Sequence, residues 1–248
     1  MKNPFGNPAS RRDFAYCPPK APCIELLHDS HVAVVVKPPG LLSVPGRAPE
    51  ACDSALFRVR KAHPQAQAVH RLDMDTSGIL AIALTREAAS ALGRQFQERT
   101  VRKLYLAWVD GEVLEGGAVD APLRCDWENR PRQIVDRRLG KRALTLYLPL
   151  LRKTGRTLVA LEPLTGRSHQ LRVHMALKGH PILGDRFYAH SEAAAASQRL
   201  MLHASFLEFE HPQTKIRQAF RSLPDFAQEL GEVPDPSIMG SLLPPGLL

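Results

Sequence analysis

His70-Arg71-Leu72-Asp73-Met74-Asp75-Thr76-Ser77-Gly78, running straight into Ile79-Leu80-Ala81-Ile82-Ala83-Leu84, is the most informative stretch of this 248-residue chain. A short apolar run after a glycine reads as a buried strand, and the polar cluster before it as the loop that feeds the strand. Two readings of that cluster compete. In one it is a solvated turn, with Asp73 or Asp75 capping its own backbone and Thr76-Ser77-Gly78 closing the bend. In the other it is a catalytic loop, exposed by its position and held still by the sheet beneath it.

Working outward, β-branched or apolar runs bounded by turn residues predict further strands at 32–36, 101–109, 144–151, 157–162 and 200–210. Helices are expected at 54–62, at 86–99 behind the cap Thr85, at 168–178 before the stop Gly179, and at 192–197. Runs of strands with a few helices and no regular βαβ alternation predict an α+β fold, a largely antiparallel mixed sheet with flanking helices. Within 101–109 the alternation places Lys103, Tyr105 and Ala107 on one face and Leu104, Leu106 and Trp108 on the other, so one face has a task besides packing. No repeat or linker-like tract divides the middle of the chain. One catalytic domain is therefore expected over 23–228, between a Pro-rich, extended or disordered arm at 1–22 and a Pro/Gly-rich tail at 229–248.

Composition narrows the chemistry. Lys plus Arg number 33 against 25 Asp plus Glu, a net charge of +8 and a pI near 9.6, which suits a polyanionic partner. Seven basic residues fall between 124 and 142, among them Arg130 and Arg132, with Trp127 interleaved and Pro131 and Gly140 as breakers. That pattern predicts a basic loop or hairpin for phosphate contact and stacking. The four cysteines form no Cys-x-x-Cys pair and have no neighbouring histidine cluster, so reduced thiols and no metal site are expected. No segment approaches the roughly 20 apolar residues of a membrane span or the core of a signal peptide. A soluble, cytoplasmic protein with no membrane contact and no obligate protein partner is the expectation.

A second polar segment bears on the first: Thr165-Gly166-Arg167-Ser168-His169-Gln170-Leu171-Arg172-Val173-His174. A helix opened by Ser168 would put His169, Arg172 and Ala176 on one face and Leu171 and Met175 on another. A guanidinium beside a core face needs a carboxylate, and Asp73 is the candidate. His174 reads as a hydrogen-bonded structural histidine, while His169 is open between that role and direct catalysis.

The motifs His70-Arg71-Leu72-Asp73-x-x-Thr76-Ser77-Gly78, Lys103-Leu104-Tyr105-Leu106-Ala107, the 165–174 segment and Gly179-His180-Pro181-Ile182-Leu183-Gly184-Asp185 together resemble the RluA family of pseudouridine synthases. Lys37-Pro38-Pro39-Gly40-Leu41-Leu42-Ser43-Val44-Pro45-Gly46 fits the same family, and the likeness runs from about residue 24 to 226. It implies an RNA-binding cleft in the middle of the sheet, an essential aspartate at Asp73, an arginine at Arg172 that pairs with it, and a tyrosine at Tyr105 against the target base. Arg71 is implied to fill the space left by a flipped nucleotide. His70, Thr76, Lys103, Arg167, His169, Arg130 and Arg132 are the further substrate-binding candidates, and no cofactor is implied. The chain resembles the compact subgroup without an S4-type module, whose implied substrates are a uridine of a tRNA anticodon stem-loop and one of a large-subunit rRNA loop. Two other classes fit parts of the pattern: a catalytically silent RNA-binding factor, and a glycosidase or nuclease using Asp73 with Asp75. Two carboxylates so close in one loop are poorly placed to flank a scissile bond.

Overall fold

The computed structural model describes residues 16–242. The elements begin with β1 (Ile24–His28), β2 (Val32–Lys37), α1 (Ala55–Arg60), β3 (Gln67–Ala68), β4 (Ser77–Ala83), α2 (Arg86–Glu98) and β5 (Arg102–Asp110). They continue with β6 (Gly117–Asp120), β7 (Leu123–Cys125), β8 (Gln133–Val135), β9 (Leu144–Lys153), β10 (Arg156–Pro163), α3 (Gln170–Leu177) and α4 (Ser191–Ala195). Strands β11 (Leu202–Glu210) and β12 (Arg217–Arg221) and two 3-10 segments, Asp225–Leu230 and Pro236–Leu242, complete the chain.

These elements gather into two compact units where composition suggested one domain. The first holds Tyr16–Lys103 and His203–Val233, the second Leu104–Leu202 with the residues from Pro234 onward. Two of the changeovers fall inside β5 and β11, where no Pro- or Gly-rich linker marks them, and the third lies at Val233/Pro234 in the Pro-rich tail.

In the first unit β1, β2 and β4 pair antiparallel, β3 joins β4 antiparallel, β11 joins β4 parallel, and β12 closes on β11 antiparallel. All seven residues of β4 are buried, as its unbroken apolar sequence requires of a strand covered on both faces. Val32, Val34, Ile79, Ala81, Leu92, Leu207 and Phe209 form the core against α2; each large aliphatic side chain removed from water there contributes ~2 kcal/mol. Helix α2 starts where Thr85 Oγ1 accepts the Ala88 amide and ends at Arg99, which takes a left-handed φ of 62°.

In the second unit β5, β10, β9 and β6 form an antiparallel sheet, with β7 and β8 as a separate antiparallel pair. Val109, Val159, Leu161, Met175 and Ile182 lie in its core, with Tyr105 packed at the edge. The alternation expected in β5 is muted, because Leu104, Leu106, Ala107, Trp108 and Val109 are all buried.

Both terminal segments carry long-range anchors or buried residues within the described residues. Residues 16–22 are irregular but tied down: the Tyr16 hydroxyl donates to the Asp53 carbonyl and accepts the Leu42 amide, and Arg58 donates to the Pro19 and Ala21 carbonyls. In the tail, Val233 and Met239 are buried. In 16–22 hydrogen bonds from distant residues hold an irregular backbone, whereas in the tail Pro236 opens the 3-10 segment that carries Met239. Residues 1–15 and 243–248 of the expected arm and tail lie outside the described residues.

Candidate active site

The loop ahead of β4 is held through the main chain on both sides of Asp73. Ser43 Oγ donates to the Leu72 carbonyl (2.8 Å) and accepts the Leu72 amide (3.0 Å). On the other side of Asp73, the Met74 carbonyl accepts the Gly40 amide (2.9 Å) and the Lys37 ammonium (3.0 Å). Lys37 is fully buried and also donates to the Pro38 and Leu41 carbonyls, so one ammonium ties the 38–41 turn to the Asp73 loop. Three carbonyls in reach of three N–H bonds are what a buried ammonium requires. The Thr76 amide donates to the Asp73 carbonyl and closes the turn. Asp73 itself is half-buried, its main chain fixed by its neighbours.

The loop enters β4 where parallel β11 begins, with Ser77 opposite His203 and Gly78 opposite Ala204. Ser77 Oγ meets His203 Nδ1 at 2.8 Å, and His203 Nε2 meets Ser222 Oγ at 3.1 Å. Gly78 has φ 118°, and a Cβ there would lie 2.5 Å from the Ala204 nitrogen and nearer still to its carbonyl oxygen. Glycine is therefore obligatory at this position.

Expected site residues in the first unit divide by surroundings. Arg71 is exposed and Lys103 half-exposed. His70, expected to meet substrate, turns into the unit: its Nε2 accepts the Ala81 amide of β4 (2.9 Å) and its ring stacks on Phe96 with centroids 4.4 Å apart. Burial, helped by the Lys103 charge, pulls its pKa down to about 3. The ring is neutral and anchors the loop. Thr76, also expected at the substrate, is buried on the underside of the turn.

In the second unit the helix starts later than its sequence suggested. α3 begins at Gln170, and His169 is the N-cap residue with a left-handed φ of 52°, so His169 leaves the helical face it was expected to share with Arg172. Gln170 accounts for the shift by knotting the helix entrance. Its Oε1 accepts the Thr165 hydroxyl and the Arg167 amide, and its Nε2 donates to the Leu144 carbonyl and Thr145 Oγ1. Thr145 passes its own proton to His174 Nδ1 (2.8 Å), and His174 Nε2 donates to the Ala121 carbonyl (3.0 Å). Burial lowers the His174 pKa, opposed by its bond to Ala121. This neutral, saturated histidine is the structural one the sequence suggested.

Arg172 is 2% exposed and grips Asp185, which is fully buried, with a two-pronged bond: Nε to Oδ2 and Nη2 to Oδ1, both 2.7 Å. The rings of Phe187 and Tyr188 lie 5.2 Å from the guanidinium, and Asp185 Oδ1 also accepts the Phe187 and Tyr188 amides. The carboxylate that a buried Arg172 demands is thus supplied inside its own unit by Asp185, thirteen residues on. The Tyr188 hydroxyl accepts the Gln133 amide (2.8 Å) and directs its proton at His169 Nδ1 (2.6 Å).

The basic segment at 124–142 is a hairpin, as expected, built on β7 and β8. Arg124 pairs with Asp136, whose pKa falls to about 2 through that bond and through the Leu139 and Arg138 amides. Arg130 stacks on Trp127, 3.5 Å from the ring centroid. Arg132 is largely buried beside Phe187, and Arg167 Nε donates to the Arg142 carbonyl. Sequence reasoning assigned no part to Asp185, Tyr188 or His203, and none to Lys37 or Ser43 beyond family likeness. A lysine closing an apolar strand was the one available signal for the loop clamp. Among the described residues no three His, Cys, Asp or Glu side chains gather as a metal site, and no helix is long and apolar enough to cross a membrane.

A sheet that presents one pinned aspartate loop, in a chain that also carries a basic hairpin, suits an enzyme of RNA. Residues 31–177 match the RNA pseudouridylate synthase family, and the chain belongs to that family. Over 205 residues it is 52% identical to the dual-specificity RNA pseudouridine synthase RluA of Yersinia pestis, covering 82% of this chain and all of that one. The RluA of Escherichia coli K12 is 50% identical over 214 residues, 85% of this chain and 98% of that protein. In structure, human RNA pseudouridylate synthase domain containing 1 superposes with a TM-score of 0.72 at 27% identity, covering 91% of this chain and 96% of that one. Human RNA pseudouridylate synthase domain containing 4 gives 0.64, also at 27% identity, covering 82% and 89%. The protein is an RNA-binding isomerase that converts uridine in RNA to pseudouridine.

Proposed function

We infer that Asp73 is the catalytic carboxylate and that the substrates are a uridine in a tRNA anticodon stem-loop and one in a large-subunit rRNA loop, reached in the cytoplasm. The double substrate is supported by the relatives named as dual-specificity enzymes. The observation that carries Asp73 is the clamp: main-chain groups of Leu72 and Met74 are fixed on either side, and the carboxylate sits between them. A reacting group needs that immobility, since a misplacement of about 1 Å can cost roughly 100-fold in rate.

The isomerisation breaks the C–N glycosidic bond, turns the uracil and joins carbon 5 to the sugar. No atom is gained or lost and no electron changes hands, so the residues of the chain suffice. Bond breaking develops oxocarbenium character on the ribose, which an ionised carboxylate stabilises by charge or by attack. Tyr105 offers an aromatic face to the uracil. Arg172, held rigid by Asp185, is the cation proposed to act with Asp73. The target uridine must leave its stack, which costs least in a loop, and Arg71 takes its place. Lys103, Arg167, His169, Arg130 and Arg132 serve the RNA backbone, with His70 and Thr76 supporting the loop from within. Turnover on prefolded RNA is expected to survive a chelator.

Asp73→Asn tests the reading. Tritium release from RNA labelled at uridine carbon 5 should vanish while affinity for the RNA falls by less than about tenfold, ~1.4 kcal/mol. Turnover by the variant at a few per cent of wild type would remove Asp73 from the reaction, and release of free uracil would favour a glycosidase.

A further inference from the structure

The tip of the basic hairpin holds an arrangement that neither catalysis nor folding uses. Trp127 is 67% exposed, and the Arg130 guanidinium lies flat over it, 3.5 Å from the ring centroid. Burying a tryptophan is among the largest apolar gains open to a small structure, so leaving one in water at a loop tip forfeits that gain. The tip is nevertheless rigid. The Asp126 amide donates to the Arg132 carbonyl, the Arg132 amide to the Asn129 carbonyl, and Asn129 Nδ2 to Asp126 Oδ2 at 2.9 Å. Aromatic area held still at low entropic cost is what a binding surface needs.

Charge points the same way. Of the acidic groups at the hairpin, Asp136 is engaged by Arg124 and Asp126 by Asn129, which leaves exposed Glu128 as the one carboxylate at the tip outside such a bond. Among the described residues Arg130 has no ion pair, and Arg137, Arg138, Lys141 and Arg142 are exposed along the same hairpin. Arg132, nine-tenths buried, has an Nε with no hydrogen-bond partner. A buried guanidinium nitrogen lacking an acceptor is a group that an anionic ligand completes.

We propose that Trp127 and Arg130 form a stacking platform for an unpaired base of the substrate RNA outside the target uridine, with Arg132 serving the adjoining phosphate. This rests on the reading of the chain as an enzyme of loop uridines and deepens it: the hairpin selects unpaired RNA, and Asp73 performs the chemistry. An indole and a guanidinium accept any base by its π-face, so the platform reads single-strandedness instead of sequence. One such device serves two different RNA loops.

The probe is a synthetic RNA hairpin with an unpaired loop, and beside it the same strand annealed to its complement. Trp127→Ala should weaken binding of the hairpin, and raise KM for it, by roughly tenfold. The single-turnover rate at saturating enzyme should change by less than about twofold, and duplex binding should not move. Trp127→Phe, which keeps a stacking ring, should recover most of the loss. Arg132→Gln should lower the slope of affinity against salt by about one. Equal loss on hairpin and duplex, no loss in Trp127→Ala, or a fall confined to the saturated rate would each overturn the platform. A wild-type chain that made no pseudouridine, yet showed the Trp127 effect on binding, would retain the platform and sink the parent reading.

Discussion

The Asp73 loop and the entrance to α3 solve the same problem in opposite ways. Around Asp73, the side chains of Ser43 and Lys37 hold backbone groups of its neighbours. Around Arg172, a carboxylate and two aromatic rings hold the side chain itself. A main-chain clamp fixes where a reacting group starts by fixing the backbone on either side of it. A buried ion pair fixes the charged atoms and makes the fold depend on them, because one ion left alone in the interior is costly. Damage to the first should therefore appear in turnover before stability, and damage to the second in stability before turnover.

The largest effect that separates the two is expected from Asp185→Ala. It strips a buried arginine of its carboxylate and should cost about 3–5 kcal/mol, read as a lower urea midpoint at unchanged m-value. Arg172→Lys keeps charge but loses the planar fork and should recover only part of that stability. A stable Asp185→Ala protein that cannot turn over RNA would break the contrast, since Asp185 would then act as the loop does.

Ser43→Ala is the matching change in the loop. It leaves the Leu72 amide and carbonyl unsatisfied, a cost of about 1–2 kcal/mol. The single-turnover rate should drop roughly tenfold through the displaced carboxylate, with the RNA dissociation constant held within about a factor of two. Loss of affinity with an unaltered saturated rate would show that the clamp positions RNA and not Asp73.

The smallest effect is in the pH dependence. His70 is neutral in the fold with a pKa near 3, whereas in the unfolded chain it takes up a proton below about 6.5. Its contribution is complete above 6.5 and drains away as pH falls toward 3, at no more than about 1.4 kcal/mol per pH unit. His70→Gln, with an oxygen to accept the Ala81 amide and no proton to gain, should flatten stability against pH across that window. Equal slopes in calorimetry for the two proteins would mean that His70 is not held neutral.

Much of this was legible in the sequence, and for definite reasons. The apolar run of β4, the Thr85 cap and the hairpin at 124–142 are local signals carried by neighbouring residues. The density of polar groups before β4 pointed to Asp73. What escaped were partnerships between residues far apart in the chain: Ser43 with Leu72 at a separation of 29, and Lys37 with Met74 at 37. Asp185 escaped for a different reason. It lies in a polar turn, where burial is not expected of a carboxylate, and Asp73 was the more conspicuous acid. β1 and β12 were also missed, because half-exposed edge strands such as Ile24–His28 and Arg217–Arg221 carry weak alternation.

The parallel pairing of β4 with β11 bears on how the chain is made. Ser77 waits for His203, 126 residues further along, and Gly78 waits for Ala204. A chain that emerges from the ribosome from its N-terminus can form the Ser43 and Lys37 contacts early, but the strand that seats the Asp73 loop lacks its neighbour until residues 202–210 have been synthesised. Contacts so distant in sequence form slowly. A nascent chain thus displays the basic hairpin before the strand beneath the Asp73 loop has its parallel partner.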